Sequence, residues 1–358
     1  MNQVEASAPG KLYIAGEYAV VEPGHPALLV AVDQFLTVKV TPSETVGTIH
    51  SSHYSSTPLQ WRRKNGKLVV DERENPFHYL LAAIDFTEKY AKECGTALSM
   101  YHLIVESELD SASGLKYGLG SSAAVTVATV RALLKYYGLP ETDVLVFKLS
   151  VLAHLSVKSN GSFGDIAAAT YTGWLAYSSF DREWVKQKIN THSIKAITDL
   201  DWPAFMVERL TPPEELKLLI GWTGSPASTT DLVDQVKAKR EAKEENYQQF
   251  LKNSKACVER MIQAFRAKDL KAIQAEIRHN RHLLKEMSES TGVSIETPAL
   301  KALCETAEAH NGAAKSSGAG GGDCGIALFD RKIDLLELVN TWKAQDITLL
   351  PLQVYARS

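Results

Sequence analysis

Apolar residues recur at helical spacing over 121–137, where Val125, Ala128, Leu133 and Tyr136 give the period and Gly138 with Pro140 supplies the stop. Earlier in the chain Leu36, Val38 and Val40 alternate as on one face of a strand, and Leu98 to Val105 reads as a second strand. Between them the pattern predicts a helix opening at Asn75-Pro76, an N-cap followed by proline at the first helical position, with Leu80, Ile84 and Ala91 on one side. A further helix is expected from about Thr142 to Val157. The small-residue run Ser159 to Asp165 then reads as a loop, with helix resuming from Ala167. Residues 180–215 are polar, hold three prolines and show no period, so a domain junction is placed near their end.

The second half opens on Leu216 to Trp222, a buried strand by pattern, followed by a loop over Thr223 to Thr230 and a long charged helical region. Good helix formers dominate from Thr229 to His310, with a break near Ser288 to Pro298, and their charge runs read as solvated faces. Ile326 to Val354 returns to short strands around one helix. No internal repeat or low-complexity tract is present.

Length changes this picture by excluding a single ordinary core: 358 residues predict two domains, taken as 1–212 and 213–358. Lys and Arg number 39 against 42 Asp and Glu, a net charge of −3, so no long-range positive field calls for nucleic acid or anionic lipid. Any basic site must be local. Cys94, Cys257, Cys304 and Cys324 form no CxxC and no paired framework, which suits a reducing compartment. With no cationic stretch leading into an apolar run at the start, and no run of about 18 apolar residues anywhere, a soluble cytoplasmic protein is expected.

Candidate chemistry lies in what read as three glycine-rich loops: Ala8-Pro-Gly-Lys-Leu, Gly118-Leu-Gly-Ser-Ser-Ala, and Lys315-Ser-Ser-Gly-Ala-Gly-Gly-Gly-Asp. In the second, Gly118 and Gly120 let the backbone turn toward a ligand. Ser121 and Ser122 sit where a helix leaves its first N–H donors unpaired and its dipole positive, a site made for phosphate. The density from Gly318 to Gly322 lets several N–H groups converge on one ligand. A Walker loop is excluded, because Gly10-Lys11 and Gly66-Lys67 are each followed by leucine. A dinucleotide fingerprint fits the spacing of Gly118, Gly120 and Ala123, but the residues ahead of it are not an apolar strand, and Glu141 and Asp143 lie at a helix start.

In order and placement the three segments, with Ala8 to Tyr18 as the first, resemble the motifs of the GHMP small-molecule kinases, and the resemblance spans residues 8 to 328. It implies an α+β protein with a ribosomal-S5-like N-terminal domain, a ferredoxin-like C-terminal domain and an active site in the cleft between them. It also implies ATP and Mg²⁺. The loop of Gly118, Leu119, Gly120, Ser121, Ser122 and Ala123 would surround the triphosphate, with Lys116 just ahead of it and Ser122 helping to hold the metal. Asp165, in Gly164-Asp-Ile-Ala, matches the family's catalytic aspartate and Lys11 its partner lysine. Tyr18, Ser225, Ser228 and Gly320 of the third loop would build the substrate side. Gly16-Glu17-Tyr18, Gly221 to Thr229 and Lys116 are similar to the branch of the family that phosphorylates phosphomevalonate, where the branch acting on the alcohol mevalonate usually carries histidine at the third position of the first of these. The expected partner is therefore that small molecule, with neither nucleic acid nor membrane, and the protein is expected as a monomer or homodimer.

Phosphoryl transfer asks a protein mainly to align two anions and to neutralise the charge spreading over the migrating group, which Lys11, Lys116, the loop N–H groups and Mg²⁺ could do. With an alcohol acceptor Asp165 would serve as general base. A phosphate monoester, whose second pKa is about 6, needs none at pH 7, and Asp165 is then expected to pair with Lys11 and orient it. Alone, Lys11 would read as a surface lysine and Asp165 as a turn cap; company changes both. His279 and His282, with Arg278 and Arg281 beside them, read as a solvated basic face from which an arginine could reach substrate phosphate. Asp323 is expected to brace its loop. The rival functions are a mevalonate kinase, which an acceptor screen with ATP separates by ADP release with phosphomevalonate but not mevalonate, and a catalytically silent nucleotide or metabolite sensor, which a single-turnover assay with ATP separates by binding without transfer.

Overall fold

The computed structural model describes residues 3–51, 57–64, 67–70, 77–109, 117–157, 160–224, 232, 234–236 and 244–357. Its first sheet contains β1 (Val4–Ala15), β2 (Pro26–Ser43), β3 (Gly47–Ser51), β4 (Leu59–Lys64), β5 (Lys67–Val70), β6 (Met100–Ser107), β7 (Trp174–Ser178) and β8 (Met206–Leu210). Strands β5-β4-β3-β6-β2-β7-β8 run in that order, and β1 pairs with β2 off this path. Only β3 with β6 is parallel among these pairs. Leu28 to Val32 of β2 are buried without alternation, as a strand covered on both faces requires. Among the described residues this sheet is accompanied by the α-helices α1 (His78–Glu93), α2 (Ser121–Tyr136), α3 (Asp143–Ser156), α4 (Gly164–Tyr171), α5 (Arg182–Ile189) and α6 (Ile194–Asp199).

The second sheet is built from β9 (Leu216–Trp222), β10 (Ala313–Ser316), β11 (Cys324–Asp330) and β12 (Thr348–Leu350), with α7 (Glu244–Arg266), α8 (Leu270–Thr291), α9 (Pro298–Ala309) and α10 (Leu336–Ala344). Its spatial order is β10-β11-β9-β12 and every pair is antiparallel, so the helices between β9 and β10 and between β11 and β12 complete a ferredoxin-like β-α-β-β-α-β arrangement. The chain then crosses back to the first sheet. Tyr355 N–H donates to Ala31 O at 2.9 Å, Gly173 N–H to Tyr355 O at 2.7 Å, and the Arg357 guanidinium meets Asp143 at 2.5 Å.

Several expectations change. The stretch 8–12 is no loop but the middle of β1, because its Pro9 and Gly10 sit at a register shift, where a strand tolerates both. The aperiodic 180–215 segment contains α5, α6 and β8. Its short helices carry local caps in Asp181, which accepts from Trp184 N–H at 3.0 Å, and Ser193, which accepts from Ala196 N–H at 3.2 Å. The helical region beyond 244 has a further break after Arg266, where Asp269 caps α8 through Ala272 N–H at 3.0 Å. Helix α4 begins at Gly164 rather than Ala167, which puts Asp165 in a first turn. Asn75-Pro76, expected to open α1, lie outside the described residues. All four cysteines are free, and among the described residues no helix is long and apolar enough to cross a membrane.

Candidate active site

Lys11 and Tyr13 share one face of β1 just beyond the bulge at Pro9/Gly10, a device that re-aims side chains next to functional sites. One edge of β1 pairs with β2. Its other edge holds the two glycine-rich loops: Lys11 N–H donates to Leu119 O at 2.9 Å, Tyr13 N–H donates to Ser317 Oγ at 3.0 Å, and Ser317 Oγ donates back to Tyr13 O at 2.9 Å. Lys11 Nζ donates to Gly118 O at 3.0 Å and lies 5.8 Å from the centre of the Tyr13 ring. A residue near the start of the chain is thus clamped between segments more than 100 and 300 residues away.

The loop at 118–120 feeds directly into α2. Gly120 takes the N-cap position in the left-handed region, at φ 81°, and no side chain caps the helix, so the first-turn N–H groups of Ser121, Ser122 and Ala123 remain available to an anion. Ser121 and Ser122 are half-buried, while Leu119 and Ala123 are buried and anchor the turn. A Cβ on Gly120 would lie 3.0 Å from Lys11 Cε and 3.6 Å from Asp165 Cβ, so that one position separates the two candidate catalytic side chains. Gly120→Ala is therefore expected to cost about 1–2 kcal/mol in backbone strain alone and to displace Lys11. A lower melting temperature together with a roughly tenfold higher KM for ATP, by the effective-affinity relation, is the expected result; an unchanged KM would show that this loop does not hold the nucleotide.

Asp165 is half-buried in the first turn of α4, with Oδ1 accepting from Ile166 N–H at 3.0 Å. The loop ahead of it is fixed from two sides, by Tyr13 Oη against Ser162 Oγ at 2.6 Å and by Tyr177 Oη donating to Ser162 O at 2.7 Å. Burial, then the charge of Asp165, pushes the Tyr13 phenol well above its ordinary range, and the same two causes raise Tyr79. Both phenols keep their protons. Burial lowers His154, against the opposing pull of Asp165; its Nε2 lies 2.9 Å from Thr126 Oγ1 and 3.3 Å from Ser122 O, and its ring packs 4.5 Å from Tyr79.

The expected ion pair between Lys11 and Asp165 is not formed. Lys11 rests instead on the carbonyl of Gly118, because that oxygen lies at the end of its reach along the Gly120 turn. Tyr18 sits at φ 63° in a γ-turn in which Ala19 N–H donates to Glu17 O at 2.7 Å, a strained backbone for a residue with a side chain. Its hydroxyl, 2.6 Å from Ala319 O, donates into the third loop. In that loop Gly320 has φ 74°, and a Cβ there would meet Ile295 O at 2.3 Å; Gly321 N–H donates to the same carbonyl at 2.8 Å. Asp323 braces the loop through its backbone oxygen, which accepts from Thr223 N–H and Oγ1 at 2.9 and 3.0 Å. Lys116, Ser225 and Ser228 lie outside the described residues.

Neither arginine of α8 reaches the site. Arg281 is committed to Glu296 and Glu308 at 2.7 and 2.9 Å, and Arg278 donates to Gly312 O at 2.7 Å. His282 pairs with Glu286 on an exposed face, and among the described residues no group of three or more His, Cys, Asp or Glu gathers as a metal site. Sequence reasoning missed Tyr13, Ser162 and Ser317. The period of 2 from Lys11 to Tyr13 was a usable signal once β1 is known to be a strand; for Ser162 and Ser317 the partner lies 149 and 304 residues away, and no local pattern encodes it.

Positions 11, 118–123, 165 and 317–320 therefore meet in one place. A family model described as the GHMP kinase N-terminal domain matches residues 78–173, and one for the C-terminal domain matches 261–347. A phosphomevalonate kinase of Streptomyces sp. (strain CL190) is 38% identical over 357 residues, covering 96% of this chain and 95% of its own. The chain belongs to the GHMP kinases. Among solved structures, this GHMP kinase is similar to the Lin0012 protein of Listeria innocua, at TM-score 0.93 and 41% identity over 99% of this chain and 98% of that one. It is also similar to the Streptococcus pneumoniae phosphomevalonate kinase in complex with phosphomevalonate and AMPPNP, at TM-score 0.85 and 30% identity over 99% and 100% of the two chains. The two-domain α+β fold is that of the family, and the segments that meet around β1 are those expected from its motifs.

Proposed function

We propose that this GHMP kinase transfers the γ-phosphoryl group of ATP to the phosphate of 5-phosphomevalonate, giving 5-diphosphomevalonate in the mevalonate route to isoprenoids. The observation that carries this reading is the meeting of Lys11, Asp165 and the uncapped start of α2 around Gly120, in a chain similar along its length to phosphomevalonate kinases. Residues 1–212 would supply the ATP side and 213–358 the third loop and the acceptor side.

In this reading the N–H groups of Ser121, Ser122 and Ala123 receive the triphosphate, and Lys11 balances charge that develops on the migrating group. The side-chain oxygens of Ser122 and Asp165 are hard donors of the kind Mg²⁺ takes alongside phosphate oxygens, and the ion when bound would neutralise the triphosphate. An acceptor phosphate oxygen forms the new bond to the γ-phosphorus as the bond to the β,γ-bridging oxygen breaks, and ADP departs with that oxygen. Tyr18 and the third loop orient the acceptor. Incubation with ATP and Mg²⁺ is expected to release ADP with phosphomevalonate and not with mevalonate, and chelation of the metal is expected to abolish turnover. Release with mevalonate alone, or nucleotide binding without transfer, would overturn the reading.

A further inference from the structure

Two buried charged residues belong to no step described so far. Glu17, 3% exposed, follows β1; Lys315, 0% exposed, lies in β10; and the Lys315 ammonium donates to the Glu17 carboxylate across 298 residues of sequence. Lys315 Nζ also donates to Ser316 O at 2.6 Å, while Glu17 Oε2 is buried with no hydrogen-bond partner among the described residues. An ion pair in this position is an expensive way to gain stability, since desolvating both charges offsets most of their attraction and one acceptor is left unused. What it supplies is direction. Lys315, Ser317 and Ala319 alternate along one strand-and-loop, and each is tied to the segment that bears Lys11: to Glu17, to the backbone of Tyr13 and to the Tyr18 hydroxyl.

We infer that Glu17 and Lys315 are a positioning pair, which sets the third glycine-rich loop and Tyr18 in register with Lys11 and thereby determines how tightly the acceptor phosphate is held. The inference rests on the site proposed above. The loop needs such a clamp because Gly318, Gly320, Gly321 and Gly322, followed by Asp323, all have positive φ, a stretch with little conformational preference of its own. The strained γ-turn at Tyr18 lies next to Glu17, where the pair holds it against relaxation. Buried Tyr18 keeps its proton, since burial and then the Glu17 charge both raise its pKa, so its hydroxyl remains a donor to Ala319 O.

The test is a double-mutant cycle of Glu17→Gln and Lys315→Met, read by steady-state kinetics well below each variant's melting temperature and by hydrogen exchange of residues 316–324. Each single variant is expected to raise the acceptor KM by roughly 10- to 100-fold, as expected when one member of a buried pair is left alone, while the KM for ATP moves by less than about threefold. Exchange in the loop should quicken at least about tenfold, and the double variant should lose about as much as either single variant rather than their sum, because each removes the same tie. If the neutral single variants do not fold, Glu17→Asp keeps the charge but shortens the reach by one methylene, and the same split in KM is expected from it. An acceptor KM within about twofold of wild type, or equal losses toward both substrates that follow melting temperature, would overturn the inference. Wild-type protein inactive on phosphomevalonate refutes the proposed function instead. Loop exchange then decides the pair: unchanged rates overturn it and faster rates uphold it.

Discussion

Lys11→Ala is expected to lower kcat by roughly 10²- to 10³-fold, the range for loss of one preorganised donor at a charge-developing centre, while ATP still binds. The separation follows from geometry. The uncapped first turn of α2 offers its N–H groups whether or not the lysine is present, so ground-state affinity for the triphosphate is largely retained. Lys11 differs in its partner: its ammonium is held by one neutral carbonyl, Gly118 O at 3.0 Å, a bond that a phosphoryl oxygen replaces at no great cost. Its stem is fixed by the Tyr13 ring and the close approach of Gly120, which aim the charge at the end of the α2 loop. Nucleotide titration of the variant beside single-turnover kinetics checks both halves of the expectation. Loss of ATP binding in proportion to kcat would place the lysine on ground-state binding instead.

Asp165→Asn is expected to cost about 10²-fold in kcat, as for loss of a preorganised electrostatic group, and to cost nearly the same at pH 6 and pH 8. The argument is arithmetic on the acceptor. With a second pKa of about 6, a phosphate monoester is already about half dianion at pH 6 and about 99% dianion at pH 8. A base that served only the monoanion would therefore change the rate by no more than about twofold at the lower pH and by nothing at the higher. A loss near two orders of magnitude at both must come from what the carboxylate does as a fixed charge beside Lys11 and the metal-bearing phosphates. An alcohol acceptor would require the base throughout. Measuring kcat for wild type and variant at both pH values decides, and a loss confined to pH 6 would assign Asp165 to proton transfer.

The parts of the site that were legible in sequence are those whose chemistry is local. Gly120 at positive φ, two serines in a first helical turn and an apolar helical stripe behind them are one continuous stretch, so the uncapped turn at 118–123 and α2 could both be read directly. Asp165 was singled out through the motif around it, although its helix begins three residues earlier than expected, at Gly164. Lys11 was found but its setting was not: Pro9 and Gly10 break strands in isolation, and only pairing with β2 across a bulge makes them part of one. Helices α5 and α6 escaped because they are too short for a period, although Asp181 and Ser193 are ordinary caps that a search for helix starts would have noticed. The ties from Tyr13 to Ser317 and from Glu17 to Lys315 link opposite ends of the polypeptide, and nothing in either neighbourhood specifies the other.

Those ties also govern when the protein becomes competent during its synthesis. The outer edge of β1 waits for Ser317, and β2 waits for the return of residues 353–355, so the first strands to emerge from the ribosome are the last to be completed. Such distant closures are slow and leave an unsatisfied strand edge exposed in the meantime. A nascent chain halted between residues 171 and 315 carries Lys11, the turn into α2 and Asp165 but lacks the segment that locks them together. Partial products are accordingly expected to be prey for chaperones and proteases rather than premature kinases.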